Sequence, residues 1–91
     1  LAELAKSKES TWCVYILKCS DNTYYTGITN NIKRRIHEHE TNKGAKYTKG
    51  RTPFSLVYQD KCKDRREASQ KEYAIKKLTL VEKINLIATY K

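Results

Sequence analysis

Short β-forming runs alternate along this chain with stretches whose apolar positions recur every three or four residues. Residues 12–18, W-C-V-Y-I-L-K, are rich in aromatic and β-branched side chains and predict a strand. Ser20-Asp21-Asn22 predicts a turn, and residues 23–29 predict a second strand that closes a hairpin. Asn30 or Asn31 suits a helix N-cap, with Ile32 and Ile36 following at helical spacing, so a helix is expected to about Thr41. Residues 43–53 hold Gly44, Gly50 and the single Pro and read as a loop. Residues 54–59 read as a third strand.

Asp64 and Glu67 have capping-box spacing and open a helix through Ala68, Ile75 and Leu78. Thr79 and Glu82 repeat that spacing before Leu80, Val81, Ile84, Leu86 and Ile87, which predicts a short last helix. The order ββαβαα predicts an α+β fold, a small three-stranded antiparallel sheet flanked by helices. Residues 1–10 are polar and expected to be a flexible arm, leaving residues 11–91 as one domain. No internal repeat or low-complexity tract is visible.

Composition narrows the partner. Nineteen Lys and Arg against ten Asp and Glu leave a formal charge of +9, which favours a polyanion, nucleic acid first, with an incidentally basic surface as the alternative. No apolar run approaches the ~18 residues of a membrane span, so no membrane association is expected. No signal-peptide core is visible, and with no Met in the chain the first residue reads as a processed or fragmentary end. Cys13, Cys19 and Cys62 are odd in number, which without a secretory signal suggests free thiols and a cytoplasmic location.

Several residues are candidates for chemistry. Strand alternation puts Tyr15 on a face with Cys13 and Leu17, and Tyr25 on a face with Thr23 and Gly27. The hairpin can bring both rings to one surface, either as a core or cross-strand aromatic pair or to use their hydroxyls. Seven Tyr against one Phe favours the hydroxyls, because bulk alone does not need them. Arg35 precedes His39 by one helical turn on the same face, placed either to stabilise phosphoryl charge or as a solvated member of the Lys33-Arg34-Arg35 run. Glu72 shares the face of Ala68 and Ile75. It is either a ligand for a hard cation or a salt-bridge partner of Lys76.

Other chemistries find less support. His37 and His39 diverge on a helix and no C-x-x-C exists, which argues against a transition-metal cage. There is no phosphate-binding loop for ATP. Lys43, Lys46, Tyr47, Lys49 and Arg51 form a basic loop with an embedded aromatic and no acid between Glu40 and Asp60. It suits backbone phosphates plus one stacking contact, or is simply solvated.

Taken in order, Cys13-Val14-Tyr15, Tyr25-Thr26-Gly27, Arg35 and Glu72 resemble the GIY-YIG nuclease domain, over residues 12 to about 87. The strongest stretch is Y-T-G-I-T-N-N-I-K-R-R-I. The stretches G-A-K-Y-T-K-G-R-T-P and K-E-Y-A-I-K-K-L resemble its small, stand-alone branch. Cys13-Val14 stands for Gly-Ile and Thr26 for Ile, with both tyrosines kept.

The resemblance implies a metal-dependent endonuclease acting on nucleic acid, DNA more than RNA. Tyr15 would then activate the attacking water and Tyr25 position it or the phosphate. Arg35 would stabilise the phosphorane-like charge, His39 would assist proton transfer, and Glu72 would hold one Mg²⁺ or Mn²⁺. Lys33, Arg34 and the basic loop would bind the nucleic acid, and a separate targeting protein is a further partner. A tyrosine with an ordinary pKa of about 10 is a poor base at neutral pH. Either nearby cations and the metal favour its phenolate, or the metal acidifies the water. The rival expectations are a non-catalytic nucleic-acid-binding module of the same fold and, more weakly, a protein-interaction domain.

Overall fold

A computed structural model of the protein describes residues 11–41 and 50–90. The expected N-terminal arm, and Lys43, Lys46, Tyr47 and Lys49 of the basic loop, lie outside those residues. The described elements are β1 (Cys13–Lys18), β2 (Tyr24–Thr29), α1 (Ile32–Glu40), β3 (Ser55–Lys61), α2 (Arg65–Lys76) and α3 (Leu80–Ala88). The expected order ββαβαα and α+β class are both observed. The sheet is antiparallel throughout, in the order β2-β1-β3.

Placing β1 in the centre explains its composition. Cys13 to Leu17 are all buried, so the strand is covered on both faces and reads as a continuous apolar run. Val14 and Ile16 pack with Cys62, Ala68 and Ile75, joined by the partly buried Leu86 and Ile87 from α3. Helices α2 and α3 therefore cover that face. Tyr15 points the other way, towards α1, where it meets the buried His39.

Local signals set the element ends. Asn31 is the N-cap of α1 and accepts from the Arg34 amide at 3.1 Å. Thr79 and Glu82 form the expected reciprocal capping box. At α2 the arrangement differs by one residue: Asp64 accepts from the Glu67 amide at 2.8 Å, but the Glu67 carboxylate reaches back to the Lys63 amide at 2.9 Å. Strand β3 starts one residue later than expected and runs on to Lys61, because pairing with β1 continues to Cys13↔Lys61. Phe54, left outside the ladder, turns its ring towards His39.

All three cysteines are free and buried, and burial pushes their thiols up from the ordinary range, which disfavours a thiolate nucleophile. Among the described residues, no helix is long and apolar enough to cross a membrane.

Candidate active site

The two triplets meet across the β1–β2 ladder, where Tyr15 lies opposite Gly27 and Leu17 opposite Tyr25. Gly27 is needed there for space. A Cβ at this position would lie 2.7 Å from the Tyr15 hydroxyl oxygen and 2.9 Å from the Tyr25 ring. The bare glycine backbone is the pocket in which the Tyr15 hydroxyl sits. Both rings then lean on His39, with ring centroids 6.0 Å from Tyr15 and 5.1 Å from Tyr25, and Phe54 closes the far side at 5.9 Å.

Helix α1 brings two polar groups to that hydroxyl. The Nε2 atom of His39 lies 2.9 Å from the Tyr15 oxygen, in a fully buried contact. One turn earlier, the Arg35 guanidinium faces the hydroxyls of both Tyr15 and Tyr25 and pairs with Glu38 at 3.0 Å. The expectation that Arg35 and His39 share a helical face is met. The alternative of a purely solvated Arg35 is not, since its side chain is half-buried and bonded.

These neighbours set the protonation states. Burial pushes the Tyr15 hydroxyl far above its ordinary range, and the opposing pull of Arg35 does not restore it. Burial, then the Arg35 charge, lower the His39 pKa to about 4, with Glu38 opposing. Burial disfavours the Arg35 charge, but the Tyr15 hydroxyl and the Glu38 carboxylate outweigh it and raise its pKa. At neutral pH the cluster therefore holds a protonated Tyr15, a neutral His39 and a charged Arg35. Arg35 can only donate, so the Tyr15 oxygen accepts from it and directs its own proton to Nε2. That pattern assigns the His39 proton to Nδ1.

Glu72 is not among the partners of this hydrogen-bonded cluster. It sits on α2 with its side chain 24% exposed, paired with Lys76 at 3.3 Å. Helix α2 runs beside β2 on the opposite face of the sheet from α1. Its first residue, Arg65, shares a recess of about 250 Å³ with Trp12, the β2 end at Ile28 and Thr29, and Arg34, Arg35 and Glu38 of α1. Its last residue, Lys76, shares one of about 390 Å³ with Lys83 and Tyr24 to Thr26 at the other end of β2. Glu72 lies one turn before Lys76 on α2 and is not among the residues that line either recess. No group of three or more His, Cys, Asp or Glu side chains able to hold a metal exists among the described residues. One half-buried carboxylate fits Mg²⁺, which retains most of its own water, and does not fit a transition-metal cage.

The basic residues divide. Lys33 and Arg34 are exposed on α1. Arg51, expected to bind phosphate from an acid-free loop, is instead ion-paired to Asp21 of the hairpin turn and reaches Thr23 at 3.4 Å. The missing acid comes from 30 positions away, and the Arg51 carbonyl also accepts from the Ser20 amide at 2.9 Å. Arg51 therefore ties the loop to the hairpin. Trp12, Glu38, Arg65 and Lys83 line or hold these sites and were missed by the sequence, which named Lys76 only as a partner for Glu72. Only Glu38, three residues after Arg35, had a local signal for its role.

Comparison with known proteins agrees with this geometry. Residues 11–85 match the family model of the GIY-YIG catalytic domain. A UPF0213 protein of Desulfotalea psychrophila is 56% identical over 77 residues, covering 84% of this chain and 70% of its own. One from Oceanobacillus iheyensis is 54% identical over 74 residues, covering 81% of this chain and 86% of its own. The solution NMR structure of a UPF0213 protein from Bacillus halodurans is 44% identical, covers 86% of this chain and 83% of its own, and superposes with a TM-score of 0.57. With both tyrosines, the glycine that seats one of them and the arginine that faces them on one surface, the chain belongs to the GIY-YIG family.

Proposed function

We propose that the protein is a metal-dependent endonuclease that hydrolyses phosphodiester bonds in nucleic acid, DNA in preference to RNA. The observation that carries this reading is the buried Tyr15 hydroxyl, held 2.9 Å from His39 and faced by Arg35. A hydroxyl fixed between a neutral acceptor and a cationic donor is preorganised for proton transfer rather than for packing.

The chain's own residues can then act as follows. Tyr15, protonated at rest, passes its proton to His39 Nε2 as it takes one from the attacking water, so no resting phenolate is needed. Tyr25, one ring away, positions the water or the phosphate. Arg35 stabilises the charge that develops on phosphorus-bound oxygens, and Glu38 holds the guanidinium in place. Glu72 would hold one Mg²⁺ or Mn²⁺, which when bound supplies further charge stabilisation at the phosphate. Lys33 and Arg34, with Lys43, Lys46, Tyr47 and Lys49, bind the flanking backbone. Residues 11–91 form the nuclease domain, a targeting protein supplies site choice, and the free thiols fit a cytoplasmic location.

The Glu72–Lys76 ion pair favours a second reading, in which Glu72 is only a structural partner and the domain binds nucleic acid without cutting it. Incubation with supercoiled, linear, branched and single-stranded substrates in Mn²⁺, Mg²⁺ or EDTA separates the two. The nuclease reading expects cleavage with metal only, lost in Glu72→Gln while binding and melting are kept. Full activity in Glu72→Gln removes the metal role, and no cleavage of any substrate with either metal leaves the binding module.

A further inference from the structure

The recess beside Arg35 is built from four parts of the chain: Trp12 before β1, Thr29 and Asn30 at the end of β2, Arg34, Arg35 and Glu38 on α1, and Arg65 at the start of α2. Three guanidinium groups face one carboxylate there. Glu38 is already paired with Arg35, and among the described residues neither Arg34 nor Arg65 has a carboxylate partner. Arg65 is nonetheless held in position, with its guanidinium carbon 5.7 Å from the centre of the Trp12 ring. Trp12 is itself anchored, its ring packed on the core and its carbonyl accepting from the Cys62 amide at 2.9 Å. Uncompensated cations lose little by facing bulk water. Two of them gathered beside a preorganised third are, however, a site for an anion.

We infer that this recess binds a backbone phosphate of the nucleic acid, the one adjacent to the scissile phosphate, with Arg34 and Arg65 as its clamp and Arg35 shared with the cleavage site. The inference rests on the nuclease reading for the word scissile, but the site itself is a matter of binding. Arg65 is a binding residue here, and Trp12 a positioning residue that acts through it.

Binding of short oligonucleotides in EDTA, each with one phosphate replaced by a neutral methylphosphonate, tests the site without requiring cleavage. In the parent protein one position should weaken binding about tenfold and reduce the salt slope by roughly one contact. In Arg65→Ala that same substitution should cost clearly less than in the parent, because only Arg34 and Arg35 still face the phosphate. Arg65→Lys should recover only part of the affinity, because an ammonium keeps the charge but loses the planar fork and the stacked geometry. Arg66→Ala, at the exposed neighbouring position, should match the parent. The inference is overturned if every methylphosphonate penalty is the same in parent and Arg65→Ala, or if Arg66→Ala behaves like Arg65→Ala. It is also overturned if inorganic phosphate at micromolar concentration displaces the oligonucleotide, which would mark a free-anion site. A protein that fails to cleave but shows the position-specific loss sinks only the nuclease reading. One that cleaves without that loss sinks only this inference.

Discussion

The two faces of the central strand are equally buried and do opposite work. Val14 and Ile16 meet Ala68 and Ile75, an all-apolar contact whose value is the area removed from water. Tyr15, one residue from each, meets His39, Arg35 and Tyr25, where nearly every contact is polar or ring to ring. A core needs volume and tolerates many side chains that supply it. The Tyr15 face needs particular atoms at particular distances, and it carries a cost: the polar groups of Tyr15, His39 and Arg35 are withdrawn from water and must find their partners in one another.

The sharpest break between the faces comes from one substitution on each. Ile16→Ala should cost about 2–5 kcal/mol of stability, read by urea unfolding, with activity falling only as the folded fraction falls. Tyr15→Phe and Arg35→Ala should melt within a few degrees of the parent yet lose roughly 10²-fold or more in single-turnover cleavage. Tyr25→Phe should lose less, and Arg34→Ala little once substrate is saturating. A Tyr15→Phe protein that cuts at the parental rate would refute the hydroxyl mechanism and make the two faces alike.

Acid should weaken one face alone. His39 has a folded pKa of about 4 against an ordinary 6.5, so protons bind the unfolded chain first. Stability is fully present above pH 6.5 and should fall by a few kcal/mol between 6.5 and about 4, then level off as the folded form also takes up the proton. His39→Gln, with no proton to gain, should flatten that window. A parent and a variant with superimposable pH profiles would mean that His39 is not held neutral.

Gly27→Ala tests how tightly the hydroxyl is seated. The new methyl group would meet the Tyr15 hydroxyl and both rings at under 3 Å, an overpacking cost of about 1–3 kcal/mol. Combining it with Tyr15→Phe should recover part of the stability and none of the activity, because only the nearest of the three contacts is relieved. Purely additive melting shifts would show that the hydroxyl does not fill that space. The smallest effect lies far from either face: Glu67→Gln should cost about 1 kcal/mol through its bond to the Lys63 amide and leave cleavage unchanged.

Much of this protein was legible in the linear chain. Asn31, Asp64 and Thr79 announce their helices because a cap bonds to amides two or three residues on. The tyrosine triplets and Arg35 at their spacing were enough for the family resemblance. The pairing of Arg35 with His39 followed from a single helical turn. Glu72 shows where the reading frayed. Its face towards Ala68 and Ile75 was readable, and so was the possible pair with Lys76. Its place relative to Tyr15 was not, because that depends on which side of the sheet α2 takes.

Residue pattern alone thus determined the elements, their caps, the hairpin that joins the two triplets and the charge that favours a polyanion. These rest on hydrogen bonds and periodicities that close within a few residues. Tertiary structure decided that β1 is central and buried on both sides, that Arg51 spends its charge on Asp21 and that Trp12 holds Arg65 beside Arg35. It also decided that His39 is stripped of water and kept neutral. Each depends on sheet order and on where helices dock, so it joins residues tens of positions apart that no local spacing relates.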